Sequence, residues 1–322
     1  MKLRIPALLL ILASCLFAAA SGQVVVQYEE PAGEPIVLTE SISIPAEPPG
    51  YTLVLPDLNK PVNGLIVFFH ADRDTAGKMF RLSLPYGIAV LFVTTGNRLE
   101  FFFDEDRLLQ IESYIASVVD RNRIPRDHLL FAGMSLAGTR AAKFTRFASS
   151  SVSRHQLVPR ALVLCDAPLD FVRFWNEMNK AKQVGATPVT ANEAAWVTGY
   201  LEKNLGGTPT EVPGRYEAYS PYFHGPPAGD GLEDFCDIDI RAYAEPDVLW
   251  WMSTRKKDYY AMNAIDMAGL INDLSILNCE RAELIVTTDK GYLPDGTRHP
   301  HSWSIVDESE LVDWFAALPV VR

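Results

Sequence analysis

Leu129-Leu130-Phe131-Ala132-Gly133-Met134-Ser135-Leu136-Ala137-Gly138 is the stretch on which the reading of this chain turns. A short apolar run ends at Gly133, a serine follows two residues later, and residues 139–150 read as a helix. A sharp strand-to-helix turn of this kind lifts one serine hydroxyl clear of the backbone. The serine then sits at strained backbone angles, and bulky side chains two residues before or after it would collide. Gly133 and Ala137 are both small.

Working outward, the same rhythm repeats on both sides. Short runs at 24–26, 36–38 and 52–55 read as strands separated by Pro/Gly breaks. From residue 61 the pattern is strand, loop, helix. Buried strands are expected at 64–69, 88–93, 129–132 and 161–164, and a helix at 104–122 carries Leu108, Ile111, Ile115 and Val118/Val119 on one stripe. Continuous apolar strands alternating with amphipathic helices predict an α/β fold whose mostly parallel sheet is covered by helices on both faces. Residues 171–245 interrupt this with aromatics, glycine and proline, among them Trp175, Trp196 and Tyr222, and read as a cap laid over a pocket. The sheet is then expected to resume with Val248-Leu249-Trp250-Trp251-Met252 as a strand, a helix at 261–277, a last strand at 282–288 and a terminal helix at 307–318 facing the core through Leu311, Trp314 and Phe315.

The elbow resembles that of the α/β-hydrolase superfamily, where it usually reads Gly-x-Ser-x-Gly; here Ala137 replaces the second glycine. The resemblance extends to secreted serine esterases and to the catalytic domain of prolyl-oligopeptidase-type hydrolases. It implies a cap inserted after the sixth strand and a catalytic serine, acid and histidine in that chain order. A serine hydroxyl needs a general base within hydrogen-bond reach, and the base needs an orienting carboxylate. Ser135 is the expected nucleophile. His299 and His301 both lie in the loop before the terminal helix, where the superfamily's histidine sits, and His301, in His301-Ser302-Trp303, is the choice. Asp258, placed after the expected strand at 248–252, is the choice of acid. Asp166, at the end of the 161–164 strand, is the runner-up, and Asp170 and Asp289 are weaker candidates. The oxyanion hole is expected from the backbone N–H groups of Leu136 and of Ala71, or Asp72, in the loop His70-Ala71-Asp72-Arg73. An exported hydrolase of small-molecule or polymer-linked esters follows, active as its imidazole loses a proton. A serine peptidase, or a binding protein of the same fold without turnover, remains the alternative.

The chain of 322 residues is 48% apolar and carries a net charge of -11, which disfavours phosphate backbones as partners. No Walker loop, dinucleotide fingerprint or HExxH motif is present, so no cofactor or metal is expected. Lys2, Arg4, the apolar run 5–17 and the small residues 18–22 read as a signal peptide, 1–22, leaving 23–322 as the hydrolase domain. Removing Lys2 and Arg4 takes the charge to -11 - 2 = -13. Leu12-Ala13-Ser14-Cys15 also fits a lipobox, and lipidation of Cys15 is the one route to a membrane. Cys165 reads as a buried thiol, while Cys236 and Cys279 are either bridged, as export allows, or two separate thiols.

Overall fold

The central strands form where apolar runs can be buried on both faces. In a computed structural model of the protein the described residues are 23–28, 36–39, 42–44, 48–56, 61–70, 76–102, 104–183, 187–225 and 231–319. The expectations placed on residues 1–22, Ala71 and Asp72 lie outside them.

Among the described residues ten strands occur in chain order: β1 (Gln23–Tyr28), β2 (Ile36–Thr39), β3 (Ile42–Ile44), β4 (Gly50–Leu55), β5 (Gly64–Phe68), β6 (Ile88–Thr94), β7 (Leu129–Met134), β8 (Ala161–Cys165), β9 (Asp239–Ala244) and β10 (Ala282–Val286). Eight of them make one sheet in the order β1-β4-β6-β5-β7-β8-β9-β10, with β2 and β3 paired separately. The pairs β1–β4 and β4–β6 are antiparallel and every other neighbour in the large sheet is parallel. Chain progress reverses at β5. Its successor β6 lies on one side, and the next strand, β7, on the other. Ligands of open α/β sheets bind beyond the carboxyl ends of strands at such a switch point, and here those ends carry His70 and Ser135.

The helices are α1 (Ala76–Ser83), α2 (Glu105–Asn122), α3 (Leu136–Ser149), α4 (Phe171–Gln183), α5 (Pro188–Leu205), α6 (Pro213–Tyr219), α7 (Glu233–Cys236), α8 (Val248–Arg255), α9 (Ala264–Ile276) and α10 (Glu308–Ala317). One face of the sheet packs on Ile111 and Ile115 of α2, Phe144 of α3 and Met267, Leu270 and Leu274 of α9. The other packs on Met79 of α1 and on Leu311 and Phe315 of α10. Asp104 and Asp307 cap α2 and α10 by accepting from backbone N–H groups of the first turn.

Two expectations require correction. Residues 248–252 are not a strand. Asp247 accepts from Trp250 N, capping a helix there, and Leu249 faces water at 79% exposure, which no central strand of this sheet would allow. The seventh strand of the large sheet is β9, inside the stretch assigned to the cap. Its sequence Asp-Ile-Arg-Ala-Tyr-Ala hides a strand because Arg241 in its middle is charged. That charge is answered by Glu283 and Glu310, and the guanidinium lies 4.3 Å over the Trp314 ring. The helical insertion between β8 and β9 therefore ends before residue 239.

Cys236 and Cys279 form a disulfide that ties α7 to the chain just after α9, across a sequence separation of 43. Closing a loop of that length removes denatured-state entropy worth about 3–4 kcal/mol. Replacing both cysteines by serine is therefore expected to lower the unfolding free energy in urea titrations by that order. Among the described residues Cys165 is a free, fully buried thiol, and burial pushes its pKa well above the ordinary range.

Candidate active site

Ser135 joins β7 to α3 with φ 53° and ψ -127°, a left-handed geometry that a non-glycine residue adopts only under constraint. Two hydrogen bonds supply the constraint: Ser135 N donates to Cys165 O at 2.8 Å, and Thr139 N donates to Ser135 O at 3.0 Å. The small neighbours do what the sequence suggested. A Cβ on Gly133 would overlap the backbone of Ala137, and one on Gly138 would lie 2.7 Å from the Ala167 Cβ. Ala137 itself fits with 9% exposure, so a methyl is accommodated two residues after the serine. Gly133→Ala is expected to cost about 3 kcal/mol, the upper end of overpacking penalties, and to show it as a lowered thermal midpoint.

The hydrogen bond from Ser135 N to Cys165 O brings the end of β8 against the elbow, and the next residue is Asp166. Its backbone is also left-handed, φ 43°, fixed by Asp166 N donating to Tyr243 O at 2.9 Å and by Asn263 Nδ2 donating to Asp166 O at 2.9 Å. So held, Asp166 Oδ2 meets His301 Nδ1 at 2.6 Å, with side-chain exposures of 10% and 22%. A carboxylate at Nδ1 places the proton there and leaves Nε2 as the acceptor nitrogen.

Asp258, the expected acid, is elsewhere. It follows a helix instead of a strand, caps the 3-10 turn Tyr259–Ala261 by accepting from Tyr260 N and Ala261 N, and accepts from Lys180 Nζ at 2.7 Å. The hydrogen bond from Lys180 holds its carboxyl below the usual range. The runner-up, Asp166, makes the bond that was assigned to Asp258. Asp170 is buried and accepts from the backbone N–H groups of Arg173 and His224, and burial pushes its carboxyl pKa up. Asp289 is exposed.

His299 is not bonded to a carboxylate. Its Nδ1 donates to His301 O at 2.9 Å, its ring lies 5.0 Å from that of Trp250, and Arg255 Nη2 reaches its Nε2 at 3.4 Å. Burial, and next the neighbouring His301, hold its pKa below the ordinary value.

Leu136 opens α3, so its N–H is among the first few that have no acceptor within the helix. The Ala71 side of the expected oxyanion hole begins just past the last described residue of its loop, His70. What precedes it is anchored by Arg140, which the sequence reading missed. Its guanidinium, 5% exposed, donates to Phe69 O at 3.0 Å, Glu100 O at 2.6 Å, Arg98 O at 2.7 Å and Asn97 O at 3.1 Å. An arginine on a helix that is buried on nearly every side was the available signal.

A cavity of about 320 Å³ adjoins the elbow, lined by Met134, Ala137, His70, Phe68, Phe92 and Trp303 among others. Leu136, Trp175 and Trp196 pack against a buried cluster made by Phe101, which precedes α2, and by residues of α4, α5 and α6 that include Phe171, Phe174 and Tyr216. Tyr222, expected beside them, belongs instead to the sheet core and donates to Asp273 Oδ2 at 2.9 Å.

Comparison with protein-family models and with curated protein sequences gives no match. Solved structures do resemble the chain. A fungal esterase of Rhizomucor miehei is similar at TM-score 0.52 and 11% identity, over 92% of this chain and 83% of its own. Carboxyl esterase 2 of the mycorrhizal fungus Tuber melanosporum is similar at TM-score 0.51 and 13% identity, over 95% and 87%. A thermostable esterase of Pseudomonas putida ECU1011 is similar at TM-score 0.50 and 14% identity, over 92% and 79%. With the sheet order and the elbow, these likenesses establish that the chain has the α/β-hydrolase fold.

Proposed function

We propose that the protein is an exported serine hydrolase of carboxylic esters working through an acyl-enzyme. The observation that carries the reading is the Asp166–His301 pair, bonded at 2.6 Å, with Asp166 directly after β8, the neighbour of the strand that ends at the strained Ser135. In this mechanism Ser135 Oγ attacks the ester carbonyl carbon, the carbonyl π electrons move to oxygen, and His301 Nε2 takes the hydroxyl proton. The Leu136 N–H, with a second donor from the Ala71 loop, stabilises the resulting oxyanion. Collapse expels the alcohol oxygen, which takes the proton back from His301. Water then repeats the sequence on the acyl-Ser135 ester. Asp166 holds the imidazole tautomer and faces the imidazolium that forms. The aromatic insertion around Trp175 and Trp196 acts as the cap.

The choice of ester over amide is supported by the similar structures, which are described as esterases. Export is supported by the disulfide, a bond characteristic of oxidising compartments. The test is a panel of p-nitrophenyl esters offered to the chain beginning at residue 23, with a fluorophosphonate probe and mass mapping of the labelled residue. Turnover with label on Ser135 supports the reading. Neither turnover nor label on a folded sample would favour a binding protein of the same fold.

A further inference from the structure

Glu245 follows β9 and is buried, with a side-chain exposure of 2%. Four donors converge on its carboxylate. Oε2 accepts from Thr287 Oγ1 at 2.8 Å and from Lys290 N at 3.0 Å, while Oε1 accepts from Gly291 N at 3.2 Å and pairs with Arg298 Nη2 at 2.5 Å. Arg298 in turn donates through Nη1 to Gly291 O at 2.7 Å and through Nη2 to Asp247 at 2.8 Å. The loop between β10 and His301 is thereby folded back on one charge. His299 N donates to Gly291 O at 2.9 Å, and His299 Nδ1 donates to His301 O at 2.9 Å. At Gly291 the two limbs pass so closely that a Cβ would lie 2.6 Å from His299 O and from the Pro300 Cα. One connected chain of hydrogen bonds thus runs from Glu245 through Gly291 and Arg298 to the backbone of His301.

A buried carboxylate is an expensive way to hold a loop, because apolar residues of the same volume commonly give equal or better stability. Burial acts to raise its pKa, and the hydrogen bonds from Thr287, Lys290, Gly291 and Arg298 outweigh this and keep the carboxyl below the usual range. What an ionised carboxylate with four directional partners does provide is a fixed loop geometry, and that geometry reaches the base.

We propose that Glu245, acting through Arg298, is a positioning residue that holds His301 in register with Asp166 and Ser135. The proposal rests on His301 being the general base. A shift of about 1 Å in a catalytic group costs on the order of a hundredfold in rate. Glu245→Gln puts an N–H₂ against donors and should let the loop relax. Its kcat on p-nitrophenyl butyrate is expected to fall by about tenfold to a hundredfold, with KM changed by less than about threefold. The rate of fluorophosphonate labelling should fall in parallel.

A second readout separates positioning from general stability. The unaltered protein should show a far-downfield proton resonance for the short His301 Nδ1–Asp166 bond, assigned by its absence from Asp166→Ala. In folded Glu245→Gln this resonance should broaden or vanish. Arg298→Lys, which keeps a cation but loses the planar fork, should show the same changes more weakly. The proposal is overturned if folded Glu245→Gln keeps both the resonance and kcat. It is equally overturned if Glu245→Gln and Arg298→Lys both fail to fold, since the clamp would then serve the fold alone. An unaltered protein without esterase activity would count against the ester-hydrolase reading, and its resonance would still report on the clamp.

Discussion

Ser135→Ala is expected to lower kcat/KM for activated esters by at least about 10⁴-fold, leaving the residual rate that binding and oxyanion stabilisation supply. The expectation follows from what the hydroxyl alone contributes. No other hydroxyl or thiol stands at the turn between β7 and α3. Cys165, the nearest thiol in the adjacent strand, is fully buried, has a raised pKa and engages Ser302 O at 3.8 Å. It cannot take over as a nucleophile. The same substitution should abolish fluorophosphonate labelling. Its effect on the fold should be small, because the contacts that fix the turn are backbone hydrogen bonds, from Ser135 N and to Ser135 O, that alanine keeps. Thermal melting of Ser135→Ala within a few degrees of the parent, with turnover lost, is the result to look for. Turnover that survives would place the chemistry at another group.

The elbow was legible because steric need leaves a mark in sequence. Gly133 must be glycine to clear the backbone of Ala137, and a strand and helix flank it whose apolar patterns are long and unambiguous. The place of His301 before the terminal helix was legible, and its ring meets a carboxylate there. That this carboxylate belongs to Asp166 and not to Asp258 was not, and the reason lies in two short segments. Val248-Leu249-Trp250-Trp251-Met252 has the composition of a buried strand, yet its apolar side chains are split between the His299 and His301 rings and open solvent, as a helix face allows. Asp239-Ile240-Arg241-Ala242-Tyr243-Ala244 has a charged residue in its middle and forms a strand, because Glu283 and Glu310 await that charge from neighbouring elements. Partners so distant in sequence cannot be read locally. Misplacing one strand moved the expected acid from the sheet to the surface. The clamp on Glu245 and the Arg140 anchor were invisible for the same reason, since each gathers backbone groups from segments far apart in the chain.

The decisive comparison is therefore between the two aspartates. Asp166→Asn keeps the shape of the side chain, and an amide can still meet the ring, but it no longer fixes the proton on Nδ1. An amide N–H₂ facing Nδ1 favours the tautomer with the proton on Nε2, which cannot accept from Ser135. In a Ser-His-Asp arrangement, that change costs about 10⁴-fold in kcat while leaving geometry intact. Asp166→Asn is expected to show a loss of this order at neutral pH, with substrate affinity little altered. Asp258→Ala should change kcat less than about twofold, because its partners are Lys180 and the first N–H groups of a surface turn. An exposed ion pair of this kind contributes at most about 1 kcal/mol to stability, and its side chain is 44% exposed. A loss confined to Asp166→Asn fits the bond seen at 2.6 Å between Asp166 and His301. A loss confined to Asp258→Ala would require the loop 256–261 to swing inward on binding, breaking the Lys180 bond and the turn it caps. Labelling Ser135 in the presence and absence of a bound product acid, with the Lys180→Ala variant as control, would reveal such a movement as a change in rate.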